Sequence, residues 1–388
     1  MLAQWNDELE CTRERLVRDV AALTGFDRRA TGRGEADSAR RIARRLQQIG
    51  ADDVRVSTFR SQSSWGPAHL THLAVGIAAA ALPGPIARVA GAAVAGSYEM
   101  EVSGRNQWVR RFLPAGQGTS VAARIPAAAT PRRTVVLVAH HDGAHTGLVW
   151  HPATVAGSRY LARRTGYAMP SHLPALTAMA ASAVPSRWGR AFAVVVLTAT
   201  AALTLQSMRS PTTPGANDNA SGVAVVLELA RRFIRKPLPH TELLLVFPGA
   251  EEVGNTGIRA WLRARRPALE PESTLVINLD AVGSSGHLAV AQREGLTSRL
   301  GEQDVSMALN AAAELGITLQ PIGIPNTTDG AVLKRSGLPT ISLLSSADGW
   351  ISHLHRDSDC IENVDWRTVE DAVCLTEHLA VRWNEDAR

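Results

Sequence analysis

A layered α/β fold, with helices on both faces of a largely parallel sheet, is what this sequence predicts. Three observations predict it. Short apolar runs alternate with helical patterns through the second half of the chain, as they do where strands are joined by crossover helices. The run at 134–139 (Thr-Val-Val-Leu-Val-Ala) is continuous rather than alternating, which fits a strand buried on both faces. Three strand-like runs lead within four positions into histidine or acidic residues, at the place where open α/β sheets bind ligands. With 388 residues, 45% hydrophobic and 20% charged, the chain can bury the core of one large domain with insertions, or of two domains.

In order along the chain, residues 4–24 and 34–49 read as amphipathic helices. In the second, Ala36, Ala39, Ile42, Ala43 and Leu46 share a face and Gly50 supplies the stop. Residues 53–59 alternate as a strand does. From 68 to 96 the chain is rich in Ala, Val, Leu and Ile, is broken by Pro83, Gly84 and Pro85, and carries Arg88 as its only formal charge. That pattern predicts two short apolar helices in a hairpin. Strands are expected at 121–125 and 134–139. Residues 148–213 hold a basic patch (Arg159, Arg163, Arg164) and then a second apolar hairpin, with arms at 173–184 and 191–205.

Residues 214–222 pack Pro, Gly, Asn and Ser around one carboxylate, Asp218. The helical run 223–233 follows at once, with Val223, Val226, Leu227 and Ala230 on one face. Asn217, Asn219 and Ser221 carry the oxygens that cap helix starts, and a carboxylate there is favoured in its ionised form. Strands are then expected at 242–247, 274–279 and 339–344, and helices at 258–265, 300–315 and 369–383. The chain has no 20–50-residue repeat.

The net charge is only +5, carried by dispersed arginines; Lys236 and Lys334 are the only lysines. Aromatics are 5% and do not interleave with basic residues, so nucleic acid is excluded as a partner and the basic balance reads as solubility or attraction to an anionic surface. Cys11, Cys360 and Cys374 have no metal-type spacing and are odd in number, which predicts unpaired thiols in a reducing compartment. The first fifteen residues are polar and charged, with no apolar signal segment. A cytoplasmic location is the expectation.

His140 and Asp142, then Glu251 and Glu252, then Asp280 each follow an expected buried strand. Together with Asp218 they form a set of nitrogen and oxygen donors suited to metal-assisted hydrolysis. Adjacent glutamates can divide the work: one ligates a cation while its neighbour takes a proton from water. A metal pair also needs a carboxylate that bridges.

This set resembles the co-catalytic di-zinc exopeptidases, which include bacterial leucyl aminopeptidases and glutamate carboxypeptidase II, with glutaminyl cyclases as single-zinc relatives. The family's His-x-Asp is similar to His140-His141-Asp142, its Asp-x-x-Ser-Gly to 218–222, its Glu-Glu to 251–252, and its Asp after an Ile-Asn strand to Asp280. Its last ligand, a histidine four residues before an Asp, matches His355, with His353 as competitor. The resemblance implies two zinc ions held by His140, Asp218, Glu252, Asp280 and His355, with Asp218 bridging. It also implies Glu251 as general base and Asp142 as a carboxylate orienting a ligand.

The fold implied is a three-layer α/β/α sandwich with a mixed, mostly parallel sheet. The activity implied is removal of N-terminal residues from peptides, with a glutaminyl cyclase or carboxypeptidase as the alternative on the same scaffold. From another class, the alternative is a catalytically silent, membrane-associated binding scaffold. Two departures stand out: Gly143 follows the His-x-Asp, and His140 and Asp218 lie 78 positions apart, farther than in most members. Residues 1–388 therefore read as one peptidase domain with insertions at about 60–117 and 148–212, which form the apolar hairpins. Their arms fall short of the roughly 20 residues an upright membrane helix needs, yet they are apolar on nearly every side. They are expected either to self-associate, within the chain or with a second subunit, or to enter a membrane surface shallowly, with flanking arginines (Arg110, Arg111, Arg159, Arg163, Arg164, Arg187, Arg190) toward anionic headgroups.

Overall fold

The computed structural model describes residues 2–385 apart from Pro83 and Pro185, with side chains from residue 12 onward; Cys11 therefore lies outside the side chains described. The N-terminal half runs α1 (Leu2–Thr24), α2 (Arg33–Ile49), β1 (Asp52–Ser61), α3 (Gly66–Ala81), α4 (Gly84–Val102), β2 (Gly116–Ile125) and β3 (Arg133–Val138). There follow α5 (Ala156–Thr165), α6 (Leu173–Ser182), α7 (Arg187–Arg209), α8 (Gly222–Arg235), β4 (Thr241–Phe247), α9 (Thr256–Arg265) and β5 (Thr274–Leu279). The last third is β6 (His287–Glu294), β7 (Ser298–Arg299), α10 (Glu302–Glu314), β8 (Leu319–Ile324), α11 (Asp329–Arg335), β9 (Thr340–Ser346) and α12 (Trp366–Glu385).

One sheet organises the chain, in the order β1-β2-β4-β3-β5-β9-β6-β7, with β8 pairing β6. The four central strands β4, β3, β5 and β9 are mutually parallel. The flanks are not. β1–β2, β2–β4, β9–β6 and β6–β7 are antiparallel, while β6–β8 is again parallel, so the sheet is mixed around a parallel centre. Those central strands have the continuous apolar runs, because helices cover both of their faces. On one face α1, α2, α8, α10 and α12 bury residues such as Leu16, Ile42, Val226, Leu245 and Leu375. On the other, β-strand residues Val136, Val246 and Val276 pack with Ile258 of α9 and Leu333 of α11.

The helix α2 ends as its sequence requires, with Gly50 at φ 95° donating its N–H to the carbonyls of Leu46 and Gln47. Helices α3, α4, α6 and α7 have a core of their own, built from Leu73, Val94, Tyr98, Ala178, Met179, Ala193 and Leu197. Small residues set the spacing. At Gly91 an added Cβ would lie 2.5 Å from Ser182 Oγ, so the α4–α6 contact admits only hydrogen there. The thiols of Cys360 and Cys374 are free.

Candidate active site

The carboxyl ends of β3, β4 and β5 deliver the donors. β3 runs into His140, His141 and Asp142; β4 into Glu251 and Glu252; β5 into Asp280. Asp218 comes from an irregular loop ahead of α8, with φ −110° and ψ 91°, and its peptide to Asn219 is cis. Gly215 makes the loop possible: its φ is 64°, and a Cβ would lie 2.3 Å from an Arg28 nitrogen. The loop's side chains do less capping than their types suggest. Asn219 Oδ1 accepts from Gly222 N (3.1 Å), as a cap does, but also from Ala281 N (3.2 Å). Asn217 Oδ1 accepts from Gly283 N, and Ser221 Oγ donates to Asn217 O. The loop is thus tied to the end of β5, and that tie fixes Asp218 beside Asp280.

The five residues expected to ligate metal converge. Asp218 Oδ1 lies 3.2 Å from His140 Nε2, which is 3.7 Å from Asp280 Oδ1. Asp218 Oδ2 lies 3.1 Å from His355 Nε2, which is 3.2 Å from Glu252 Oε2. Each oxygen of one carboxylate therefore faces its own histidine–carboxylate pair. His353 is elsewhere: its Nδ1 pairs with Ser358 Oγ at 2.8 Å.

Asp142 accepts from the backbone N–H groups of Glu251 (3.0 Å) and Glu252 (3.2 Å) and stands 3.5 Å from His140 Nδ1. Glu251 touches neither histidine among these contacts; its Oε1 accepts from Asn255 Nδ2 at 2.6 Å.

Burial makes the cluster electrostatically demanding. Burial lifts Glu251 well above the usual carboxylate range; Asp329, Glu252 and Asp280 add to this and His140 opposes it. Burial would depress both ligand imidazoles, but neighbouring carboxylates overcome it. Asp142, Asp218 and Asp280 hold His140 well above its ordinary value, and Glu252 and Asp218 carry His355 to about 10. Positive charge is what these oxygens call for. The donor set fits divalent zinc: imidazole nitrogens and carboxylate oxygens in a compact group, with His140, Asp218 and Glu252 offering atoms within 4.8 Å of one another. Glu252 Oε1 is in addition buried without a hydrogen-bond partner.

Sequence reasoning missed four supporting residues. Arg28, 1% exposed, donates to the carbonyls of His141 (3.0 Å) and Gly215 (2.7 Å), joining β3 to the Asp218 loop. Asp359 accepts from Asn217 N (2.7 Å) and Asp218 N (3.0 Å). Trp150 packs edge-on against the His355 ring, centroids 4.3 Å apart. Asn255 joins Glu251 to Asp329, whose Oδ1 is 3.3 Å away. Only Asp359 had a signal, as the Asp four residues beyond His355.

Residues 201–379 match the model of peptidase family M28. The M28 match contains Asp218, Glu251, Glu252, Asp280 and His355, and starts beyond His140 and most of the stretch that separates it from Asp218. Aminopeptidase YwaD of Bacillus subtilis (strain 168) is 26% identical over 173 residues, which is 42% of this chain and 36% of that protein. The chain thus matches only about a third of that relative's length. Among solved structures, the zinc aminopeptidase BSAP from Bacillus subtilis is 15% identical with a TM-score of 0.56, over 95% of each chain. The glutaminyl cyclase of Bacteroides thetaiotaomicron is 14% identical with a TM-score of 0.56, over 95% of this chain and 97% of that one. At such identity these likenesses establish the α/β fold. The family model matched over residues 201–379 is a peptidase family, in keeping with the resemblance seen in the sequence.

Proposed function

We propose that this chain is a zinc-dependent aminopeptidase that removes N-terminal residues from peptides. One observation carries the reading: the two oxygens of Asp218 each face a histidine–carboxylate pair, with a general-base candidate, Glu251, alongside and held by Asn255 rather than by either histidine. We read this as two zinc positions, one held by His140 and Asp280, the other by Glu252 and His355, with Asp218 bridging. Zinc bound there would supply Lewis acidity, polarising the scissile carbonyl and making water acidic enough to lose a proton near neutral pH.

The chain's own groups do the rest. Glu251 accepts the proton of the attacking water and delivers it to the leaving amine, and its raised affinity for protons suits both transfers. Asn255 fixes one oxygen of that carboxylate and leaves the other for the proton. Asp142 sets the Glu251–Glu252 backbone and orients the His140 ring. Both halves of the donor set are assembled, which favours hydrolysis over a single-zinc cyclase and over a silent scaffold.

The test joins elemental analysis to turnover on a panel of aminoacyl-arylamides. Two ions per chain are expected. Glu251→Gln should keep both and lose about 10²–10⁴-fold in kcat; a loss under about fivefold would overturn the role. Asp218→Asn should weaken both ions together, whereas His140→Ala should empty mainly one. One ion in the intact protein moves the reading to the cyclase. We further read the α3–α4 and α6–α7 hairpins as insertions into a single peptidase domain on the cytoplasmic side, placed to meet a membrane surface or a second copy of the chain.

A further inference from the structure

The two hairpins end side by side. Arg190 at the start of α7 donates to the carbonyl of Leu82 at the end of α3 (3.4 Å), and Gly91 of α4 packs on Ser182. Around this shared tip the outer surface is apolar: Val89 and Trp188 are each 72% exposed and Val195 67%, with Ile86, Val184 and Phe192 beside them. The cluster buries a separate inner set, with Leu73, Met179 and Leu197 inaccessible, so the outer residues are additional to those that hold the helices together. Large apolar side chains exposed in number around one end of a cluster mark an interaction surface.

Charge selects the occupant. No Asp or Glu occurs at 54–98 or at 143–217, while Arg88, Arg187 and Arg190 stand at the tip. Two copies joined tip to tip would bring six arginines together without one acid, a like-charge contact that opposes association. An anionic lipid surface offers the opposite charge, an apolar interior for the side chains, and headgroups for arginines that snorkel. The Arg187 guanidinium lies over the Trp188 ring at 5.1 Å, a pairing of basic and amphipathic groups suited to that boundary.

Length selects the depth. α7 has 23 residues and is apolar enough to cross a membrane, but its partners α6 and α3 have 10 and 16, too few for a bundle that spans. We propose that the paired tips of the α3–α4 and α6–α7 hairpins insert into the headgroup–acyl boundary of an anionic lipid bilayer. The bases of the same helices, at His69, Tyr98 and Thr204, line the catalytic cleft. From His69 to Leu82 the helix rises roughly 20 Å, so the cleft rides about that far above the lipid. The inference rests on reading the hairpins as insertions, and does not need the peptidase chemistry.

The test is flotation of the full chain with phosphatidylcholine vesicles, with and without phosphatidylglycerol, alongside turnover of a soluble aminoacyl-arylamide. Wild type should float with the phosphatidylglycerol vesicles and be released by salt. Joint replacement Arg88→Gln, Arg187→Gln and Arg190→Gln should weaken that partitioning roughly a hundredfold. Joint replacement Val89→Ser, Trp188→Ser and Val195→Ser should abolish it, with the thermal midpoint and turnover unchanged in both variants. Wild type that floats with neither vesicle overturns the proposal, as does flotation that both variants retain. A dimer without lipid that the serine variant dissociates would assign the surface to a second copy and overturn it too. Flotation that follows the variants in a protein without turnover would sink the hydrolase reading and leave this one standing.

Discussion

Asn255 sits between two buried carboxylates, donating 2.6 Å to Glu251 and 3.3 Å to Asp329, and is 2% exposed. It lies on no metal ligand, so its effect should be on proton transfer alone. Asn255→Leu is expected to lower kcat on the order of 10²-fold, the cost of a misplaced reacting group, with KM and metal content unchanged. Steady-state kinetics beside elemental analysis checks this; a parallel loss of metal would make Asn255 part of the scaffold instead. Asp359, by contrast, grips the Asp218 backbone. Asp359→Ala should cost about 10–100-fold in metal affinity, as removal of such supporting partners does, read by competition with a chelator. The donors were legible in the sequence because strand ends announce them: His140, Glu252 and Asp280 each follow a continuous apolar run. Arg28, Trp150 and Asn255 were not, since nothing local marks a residue whose partners lie more than a hundred positions away or across a turn.

Helix α8 shows how an element is held once its apolar face is buried. Glu228 is fully buried and paired by Arg15 of α1 at 2.7 Å and by Arg231 at 3.1 Å, while Arg231 also pairs with Asp19. Glu228→Ala takes this acid from Arg15 and leaves Arg231 with Asp19 alone, and is expected to destabilise the chain by about 3 kcal/mol, the lower end of the range for breaking a buried ion pair because Arg15 reaches solvent; urea unfolding measures it. At this scale the long helices and the central strands were readable from period and continuity. β6, β7, β8 and α11 were not assigned. β8 carries Pro321 and Gly323, which interrupt a strand pattern and are tolerated in an edge strand; among the described residues it meets, beyond β6, only the single bridge of Gly323 to Tyr167. β6 turns from apolar to Gln-Arg-Glu along its length, and α11 has only seven residues, too few for a helical period to declare itself.

The molecule as a whole joins a sheet that carries the candidate site to a helical cluster, and one cleft is lined by both: Trp65, His69 and Tyr98 with His140 and Glu251. The sequence predicted apolar helices in these stretches but not that Trp65, His69, Tyr98 and Thr204 line the cleft, because that placement depends on how two segments separated by β2 and β3 pack together. A carboxyl of α2 is buried against β2, and global stability should register it. Glu35 is fully buried, with Oε2 accepting from the backbone of Thr31 (2.9 Å) and Thr119 (3.2 Å). Burial, then repulsion from Asp142, raises its carboxyl to about 8, against the pull of those two hydrogen bonds. Its ordinary value is 4.5, so between there and about 8 the folded chain binds a proton that the unfolded chain has released. Stability from this group is then greatest below pH 4.5 and declines as pH rises through 8. Glu35→Gln cannot titrate and serves as the reference. Relative to it, metal-free wild type should lose stability from pH 5 to pH 8, by up to about 1.4 kcal/mol per pH unit, in paired urea titrations. A difference between the two proteins that stays flat across that interval would show that Glu35 ionises normally in the folded chain.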